Sequence, residues 1–251
     1  MLNIVIPMAG AGSRFANAGF VDPKPLISVN GIPMIQLVIK NLTPKEKHRF
    51  IFIVQSEHER KYSLREKLSE WAPNCIVIET NGVTEGAACT VLLAKNYINN
   101  DDSLMIANSD QYIDCNINSY LHELEKEAIT GLIMTMKAND PKWSFVGVDN
   151  NNKVTKVVEK EVISDEATVG IYNFKRGFDF VASAESMILA NERVNNEFYV
   201  APAYNYLIEL GHDIGIYNVG SEANGMYGLG TPADLDIFLK LPVSLKAIKG
   251  L

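Results

Sequence analysis

Short apolar runs rich in β-branched residues alternate, along the first half of the chain, with stretches whose apolar positions recur every three or four residues. Residues 2–8 form the first run, which stops at Ala9-Gly10-Ala11-Gly12 and so reads as a buried strand entering a loop. Residues 50–54, 75–79 and 103–107 repeat the pattern, while 32–42, 57–71, 86–97 and 117–126 carry helical spacing. Pro33 stands near the start of the first of these helices, where a missing N–H costs nothing. Strands that are apolar without alternation are buried on both faces, and strand–helix alternation builds a parallel sheet with helices on both sides.

The second half changes character. Residues 130–136 and 145–148 read as strands, Asp149-Asn150-Asn151-Asn152 as a turn and 153–158 as the returning strand of a hairpin. A strand at 167–174, helices at 178–190 and 200–210, a strand at 214–219 and a helix at 231–239 follow. No repeat, linker or low-complexity segment interrupts the chain, so the pattern predicts one α/β domain over residues 1–251, with a first half 1–130 and a second half 131–251. The predicted fold is a mostly parallel mixed sheet, Rossmann-like, flanked by helices.

Composition narrows the picture. With 47% hydrophobic and 21% charged residues the chain has ordinary globular composition. Its net charge of −7 gives no general attraction for nucleic acid or an anionic membrane. An acidic protein that binds an anion must gather positive charge locally or recruit a metal. Cys75, Cys89 and Cys115 are odd in number and widely spaced, so they predict neither a disulfide framework nor a zinc site. The opening lacks a basic, signal-like region, and no run approaches the ~20 apolar residues of a membrane span; the expectation is a cytoplasmic protein with no membrane partner. The oligomeric state stays open, a homo-oligomer included.

The first candidate chemistry lies directly after the first strand, at Gly10-Ala11-Gly12-Ser13-Arg14. Glycines let the backbone approach an anion closely, successive N–H groups form a nest, and Arg14 adds a fixed cation suited to phosphate oxygens. The Walker pattern is absent, and Phe15 occupies the place of the third glycine of a dinucleotide fingerprint. Two glycines alone would mark no more than a tight turn. Pro23-Lys24-Pro25-Leu26 shifts that balance, since a lysine held between two prolines is a poor core device and a good phosphate clamp.

These segments, with Gly31-Ile32-Pro33-Met34-Ile35, resemble the sugar-phosphate nucleotidyltransferase family, whose fold is glycosyltransferase-A-like. The resemblance continues in order through Glu85-Gly86-Ala87-Ala88, Asn108-Ser109-Asp110, Val158-Glu159-Lys160, Val169-Gly170-Ile171-Tyr172, Glu197-Phe198-Tyr199 and Gly230-Thr231-Pro232. It implies a nucleotide-binding first half and an acceptor-binding second half. Ala9, Gly10, Ala11, Gly12, Ser13, Arg14 and Lys24 would hold the triphosphate, and Glu85, Gly86, Ala87 and Asn108 would lie near the nucleoside. Arg14, Lys24 and Asp110 would be catalytic, with Asp110 binding Mg2+. Glu159, Lys160, Gly170, Glu197 and Tyr199 would face the acceptor, although Glu197 and Tyr199 are read equally well as a helix start. Two departures stand out: Glu161 replaces the proline of the Glu-Lys-Pro element, and Gly228 stands where the family often has a second aspartate.

The opening, with residues 16–22 inserted before Pro23, is more similar to capsule-operon cytidylyltransferases than to thymidylyl or uridylyl enzymes. That resemblance implies CTP as donor and a small phosphorylated acceptor such as phosphoglutamine, giving CDP-glutamine. A uridylyl- or thymidylyltransferase acting on a sugar 1-phosphate, a glycosyltransferase and a catalytically silent nucleotide-binding subunit are the competing readings. The second of these lacks its Asp-x-Asp site at Asn108-Ser109-Asp110. The four histidines show no metal spacing, Trp143 reads first as loop packing, and Glu123-Leu124-Glu125-Lys126-Glu127 reads as an exposed helical face.

Overall fold

The computed structural model describes residues 1–125, 129–151 and 153–251. Lys126 and Glu127 of the expected charged face, and Asn152 of the expected turn, lie outside the described residues. The chain begins with β1 (Leu2–Pro7), α1 (Ser13–Asn17), a 3-10 turn (Lys24–Leu26), the short strands β2 (Ser28–Val29) and β3 (Ile32–Pro33), and α2 (Met34–Leu42). Next come β4 (His48–Gln55), α3 (Ser56–Tyr62), α4 (Leu64–Trp71), β5 (Ile76–Thr80), α5 (Ala87–Leu92), α6 (Lys95–Ile98), β6 (Ser103–Ala107), β7 (Gln111–Ile113) and α7 (Ile117–Leu124). The second half contributes β8 (Ile129–Lys137), β9 (Ser144–Val148), β10 (Val154–Glu159), β11 (Glu166–Phe174), α8 (Gly177–Leu189), α9 (Tyr204–Glu209), β12 (Asp213–Glu222), β13 (Gly225–Gly228), α10 (Pro232–Lys240) and α11 (Pro242–Ile248).

The main sheet is mixed and runs β5-β4-β1-β6-β11-β8-β12-β13-β7, with the β9–β10 hairpin attached through β11. Its first four strands are parallel, β11 enters antiparallel to β6 and β8, and β12 returns parallel to β8. The unbroken apolar runs follow from burial on both faces. Leu2, Ile4 and Ile6 of β1 and Phe50, Phe52 and Val54 of β4 pack into one core, whereas Val5, Ile51 and Ile53 enter the core on the opposite face. Tyr204 locks the second core: its ring stacks on Phe174 at 4.4 Å, and its hydroxyl donates to the Asn173 carbonyl at 2.8 Å.

Four expected helices differ in detail. The stretch 57–71 is two helices, because Ser63 takes a left-handed conformation at φ 50° and ends α3. The stretch 86–97 divides into α5 and α6, and 200–210 opens with a 3-10 turn at Ala201–Ala203. Helix α2 starts one residue after Pro33, since Ile32 and Pro33 pair with Ser28 and Val29. A third, smaller core of Phe15, Ile27, Val29, Met34, Tyr112, Leu229 and Phe238 ties the 3-10 turn that carries Lys24 to α10 and α11.

Candidate active site

The parallel strands β1 and β6 lie side by side, so the loops leaving their C-terminal ends meet. One is the glycine loop, anchored by buried Phe15 and tied to β4 by Gln55, whose side-chain amide donates to the Ala9 carbonyl at 2.8 Å. Gly12 caps α1, and the first amides of that short helix have no acceptor within it. The other loop carries Asn108, Ser109 and Asp110. Lys24 reaches across from the 3-10 turn and donates to Asp110 Oδ2 at 2.8 Å, both side chains being partly buried. Two residues 86 apart in the chain therefore form the centre of the site. Gly12, Ser13, Arg14, Phe15, Lys24, Asp110 and Gly230 line one cavity, and a Cβ on Gly230 would stand 2.8 Å from Asp110 Oδ2.

A second cavity shares the glycine loop. Pro7, Ala9, Gly10 and Ala11 form one wall, and Val83, Thr84, Gly86, Ala87 and Thr90 the other, with Glu197 at its edge. Gly86 is required there: its φ is 130°, and a Cβ would fall on the backbone of Phe198. That contact is held by hydrogen bonds from the Phe198 amide to the Glu85 carbonyl at 2.8 Å and from the Ala88 amide to the Phe198 carbonyl at 3.0 Å. Glu85 itself turns away and pairs with Arg193 at 2.9 Å.

A third cavity, about 380 Å³, opens on the far side of Arg14. Its walls include Asn108, Glu159, Lys160, Gly170 and Tyr199, together with Lys142, Trp143, Ser144, Thr168 and Tyr172. Gly170 sits at φ 78° where the pairing of β11 with β8 shifts register, and a Cβ there would collide with the Asn108 side chain. Lys160 also has left-handed backbone, at φ 59°. Its ammonium donates to the Tyr199 hydroxyl at 2.7 Å, a contact that raises the lysine's pKa. Glu159 is 8% exposed and accepts from the Ser144 hydroxyl; burial pushes its carboxyl above the usual range.

Arg14, Lys24, Asp110, Asn108, Glu159, Lys160, Gly170 and Tyr199 thus converge on neighbouring cavities. Glu197 lines the cavity of Gly86 rather than that of Lys160, Ala87 lines both, and Glu85 lines neither. Lys142, Ser144 and Thr168 carry no sequence signal that marks them, Tyr172 enters the sequence pattern only through the Val169-Gly170-Ile171-Tyr172 segment, and Trp143 joins them on the wall. Lys142 packs its ammonium 4.9 Å from the Trp143 ring centroid; an isolated lysine before a tryptophan carries no motif that would mark it. Among the described residues no group of three or more His, Cys, Asp or Glu side chains is placed to hold a metal ion. Asp110 alone offers a carboxylate at the centre, so a divalent cation fits only if phosphate oxygens and water complete its shell. No helix of the described residues is long and apolar enough to cross a membrane.

Residues 4–197 match the family described as Nucleotidyl transferase. The chain is similar to the "Bifunctional protein GlmU" of Methanococcus aeolicus, 25% identical over 178 residues that cover 69% of this chain and 40% of that protein. It is 36% identical over 83 residues to a 2-aminoethylphosphonate cytidylyltransferase of Lancefieldella rimae, covering 33% of this chain and 32% of that protein. The chain spans about half or less of the length of the GlmU relatives it matches. Among solved structures, a nucleoside-diphosphate-sugar pyrophosphorylase from Vibrio cholerae superposes with a TM-score of 0.79 at 26% identity, over 95% of this chain and 100% of that one.

Proposed function

The chain belongs to the nucleotidyl transferase family, and from that premise we propose that it transfers CMP from CTP to the phosphoryl group of a small acceptor, releasing pyrophosphate. The observation that carries the proposal is the arrangement of the cavities. The one that holds Lys24, Asp110 and Arg14 shares Arg14 with the large cavity on one side, and the glycine loop links it to the cleft at Gly86. A nucleoside in the cleft would put its α-phosphate beside Lys24 and leave the large cavity for the acceptor.

The acceptor needs no general base, because the second pKa of a phosphomonoester is about 6 and its oxygen is mostly ionised near neutrality. The obstacle is bringing two anions together. Positioning and preorganised positive charge remove it, as in phosphoryl transfer generally. Lys24 stabilises charge at the α-phosphoryl group, Arg14 and the glycine-loop amides hold the departing pyrophosphate, and Lys160 holds the acceptor phosphate. Asp110 would hold Mg2+, which supplies charge neutralisation across the phosphate oxygens when bound. CTP is supported by the resemblance of the opening to cytidylyltransferases and by the 36% identity to one of them over a third of the chain. Phosphoglutamine is the acceptor we assign within this class.

A second reading, a sugar 1-phosphate with UTP or dTTP, is favoured by the full-length similarity to the Vibrio cholerae pyrophosphorylase. Pyrophosphate release with Mg2+, each of CTP, UTP, dTTP, ATP and GTP, and a panel of phosphorylated acceptors separates them. Release with CTP and phosphoglutamine is expected. Release with UTP or dTTP and a sugar 1-phosphate would keep the mechanism and overturn the donor. Nucleotide binding with no release from any pair would make the protein a silent subunit.

A further inference from the structure

Among the described residues Glu197 is the one charged side chain on the wall of the Gly86 cleft. The chain holds it there on a clamped turn. Val194 and Glu197 exchange backbone hydrogen bonds of 3.1 and 3.0 Å across Asn195 and Asn196. Those two residues have φ of 50° and 64°, the left-handed values of a type I′ turn, which asparagine tolerates well. The next residue, Phe198, is fully buried and hydrogen-bonded to the backbone of Glu85 and Ala88. Arg193, on the other arm of the turn, pairs with Glu85 at 2.9 Å and sets its guanidinium 4.3 Å from the Phe198 ring centroid. Among the described residues the Glu197 carboxylate has no hydrogen-bond or ion-pair partner; its charge acts at longer range on Lys160 and Glu159.

A carboxylate beside a polyanion is unfavourable, so a nucleotide site accommodates one best where the ligand is neutral and donates hydrogen bonds. Arg14 and Lys24 line the neighbouring cavity, which Glu197 does not touch. The other polar side chains of the cleft are the hydroxyls of Thr84 and Thr90. They lie 2.6 Å apart and both reach the Gly86 carbonyl, at 2.9 and 3.2 Å, so their hydrogens are already engaged. An ionised Glu197 can only accept. Cytosine presents an amino group at position 4, whereas uracil and thymine present a carbonyl oxygen there. The amino group would satisfy the carboxylate, and the carbonyl oxygen would set a lone pair against its charge. We propose that Glu197 determines donor specificity, accepting a hydrogen bond from the 4-amino group of cytosine and disfavouring uracil and thymine. This inference rests on the cleft being the nucleoside site of a nucleotidyltransferase; it adds the side chain that chooses the base.

The test is equilibrium binding of CTP, UTP and dCTP to the full chain, measured by calorimetry in Mg2+ with no acceptor present, so that transfer plays no part. The shared triphosphate cancels in the ratio of affinities. A preference of about tenfold or more for CTP over UTP is expected in the wild type, falling below about threefold in Glu197→Gln, whose amide donates as well as accepts. Glu197→Ala is a second variant with the same expected loss of preference, and thermal unfolding reports that each is folded. Equal binding of CTP and UTP in the wild type overturns the inference, as does a preference that survives intact in both variants. Equal weakening of CTP and UTP, with loss of any discrimination between CTP and dCTP, would place the carboxylate on the ribose and overturn it too. Failure to bind any nucleotide has the same force. Pyrophosphate release with an acceptor panel is measured separately. Its absence from a protein that still binds CTP selectively counts against the transferase reading and leaves the assignment of Glu197 standing.

Discussion

Lys24 is the sharpest point at which to test the site. Its ammonium lies 2.8 Å from Asp110 Oδ2, with roughly a quarter of each side chain exposed (25% and 22%). At an effective dielectric constant of about 20 the gross attraction at that separation is about 6 kcal/mol. Desolvation and side-chain ordering offset most of it, and partly exposed pairs retain at most ~1 kcal/mol net. Lys24→Met should therefore lower the unfolding midpoint by no more than roughly 2–4 °C in a chain of this size. The catalytic effect should be far larger. Removing one preorganised donor from the site of developing charge costs about 10²- to 10³-fold in kcat. The same substitution leaves the Asp110 carboxylate without its counter-ion, so Mn2+ should bind more tightly in the absence of nucleotide, read by electron paramagnetic resonance. Steady-state pyrophosphate release, thermal unfolding and the Mn2+ titration are run on the same preparation. Undiminished turnover in a folded Lys24→Met protein would refute the role assigned to this lysine.

Other substitutions probe the surrounding frame. Gly86→Ala places a methyl group on the Phe198 backbone at a φ of 130°, and should cost about 1–3 kcal/mol of stability and raise the KM for the nucleotide; an unchanged melting curve would show that the contact yields freely. Gly228→Asp should be tolerated within about 0.5 kcal/mol, because nothing lies within 4 Å of its would-be Cβ, and should strengthen divalent-cation binding; unchanged Mn2+ affinity would place the new carboxylate away from Asp110. Burial raises the folded pKa of Glu159 above its unfolded value, so the folded state holds this proton more tightly and the ionised group lowers stability as pH rises through that window. Glu159→Gln should accordingly unfold at a higher temperature than wild type at pH 8, with the gap closing toward acid pH; a gap that widens toward acid pH would reverse the sign.

Much of the sheet was legible because burial on both faces writes itself as continuous apolar runs, as in Leu2-Asn3-Ile4-Val5-Ile6 and Phe50-Ile51-Phe52-Ile53-Val54. The short strands were not. Gln111–Ile113 and Gly225–Gly228 pair with each other at the sheet edge, and three or four residues with two glycines among them carry no period. The break at Ser63 was hidden for a different reason, since serine offers no sequence cue for left-handed backbone. The glycine loop and the Pro-Lys-Pro turn raised the expectation of a phosphate site through residue type, and the structure sets Gly12, Arg14 and Lys24 on the wall of one cavity. The ion pair between Lys24 and Asp110 could not be read there, because it depends on the third core, which packs Ile27 and Val29 beyond the turn with Tyr112 just after Asp110. The side taken by Glu197 was equally invisible: whether it or its neighbour faces the cleft depends on how Phe198 is seated.

That seating has an evolutionary consequence. Phe198 is fully buried and hydrogen-bonded on both sides to the Gly86 loop, with Glu197 at the edge of the cleft and Tyr199 on the wall of the large cavity. One three-residue segment is thus a party wall between two rooms. A mutation that reseats Phe198 to admit a different base also displaces Tyr199 and the Lys160 ammonium bonded to it. If the cleft takes the donor and the large cavity the acceptor, as proposed, donor choice and acceptor choice would be heritable as a linked pair, and a lineage that changes one is expected to carry a compensating change in the other.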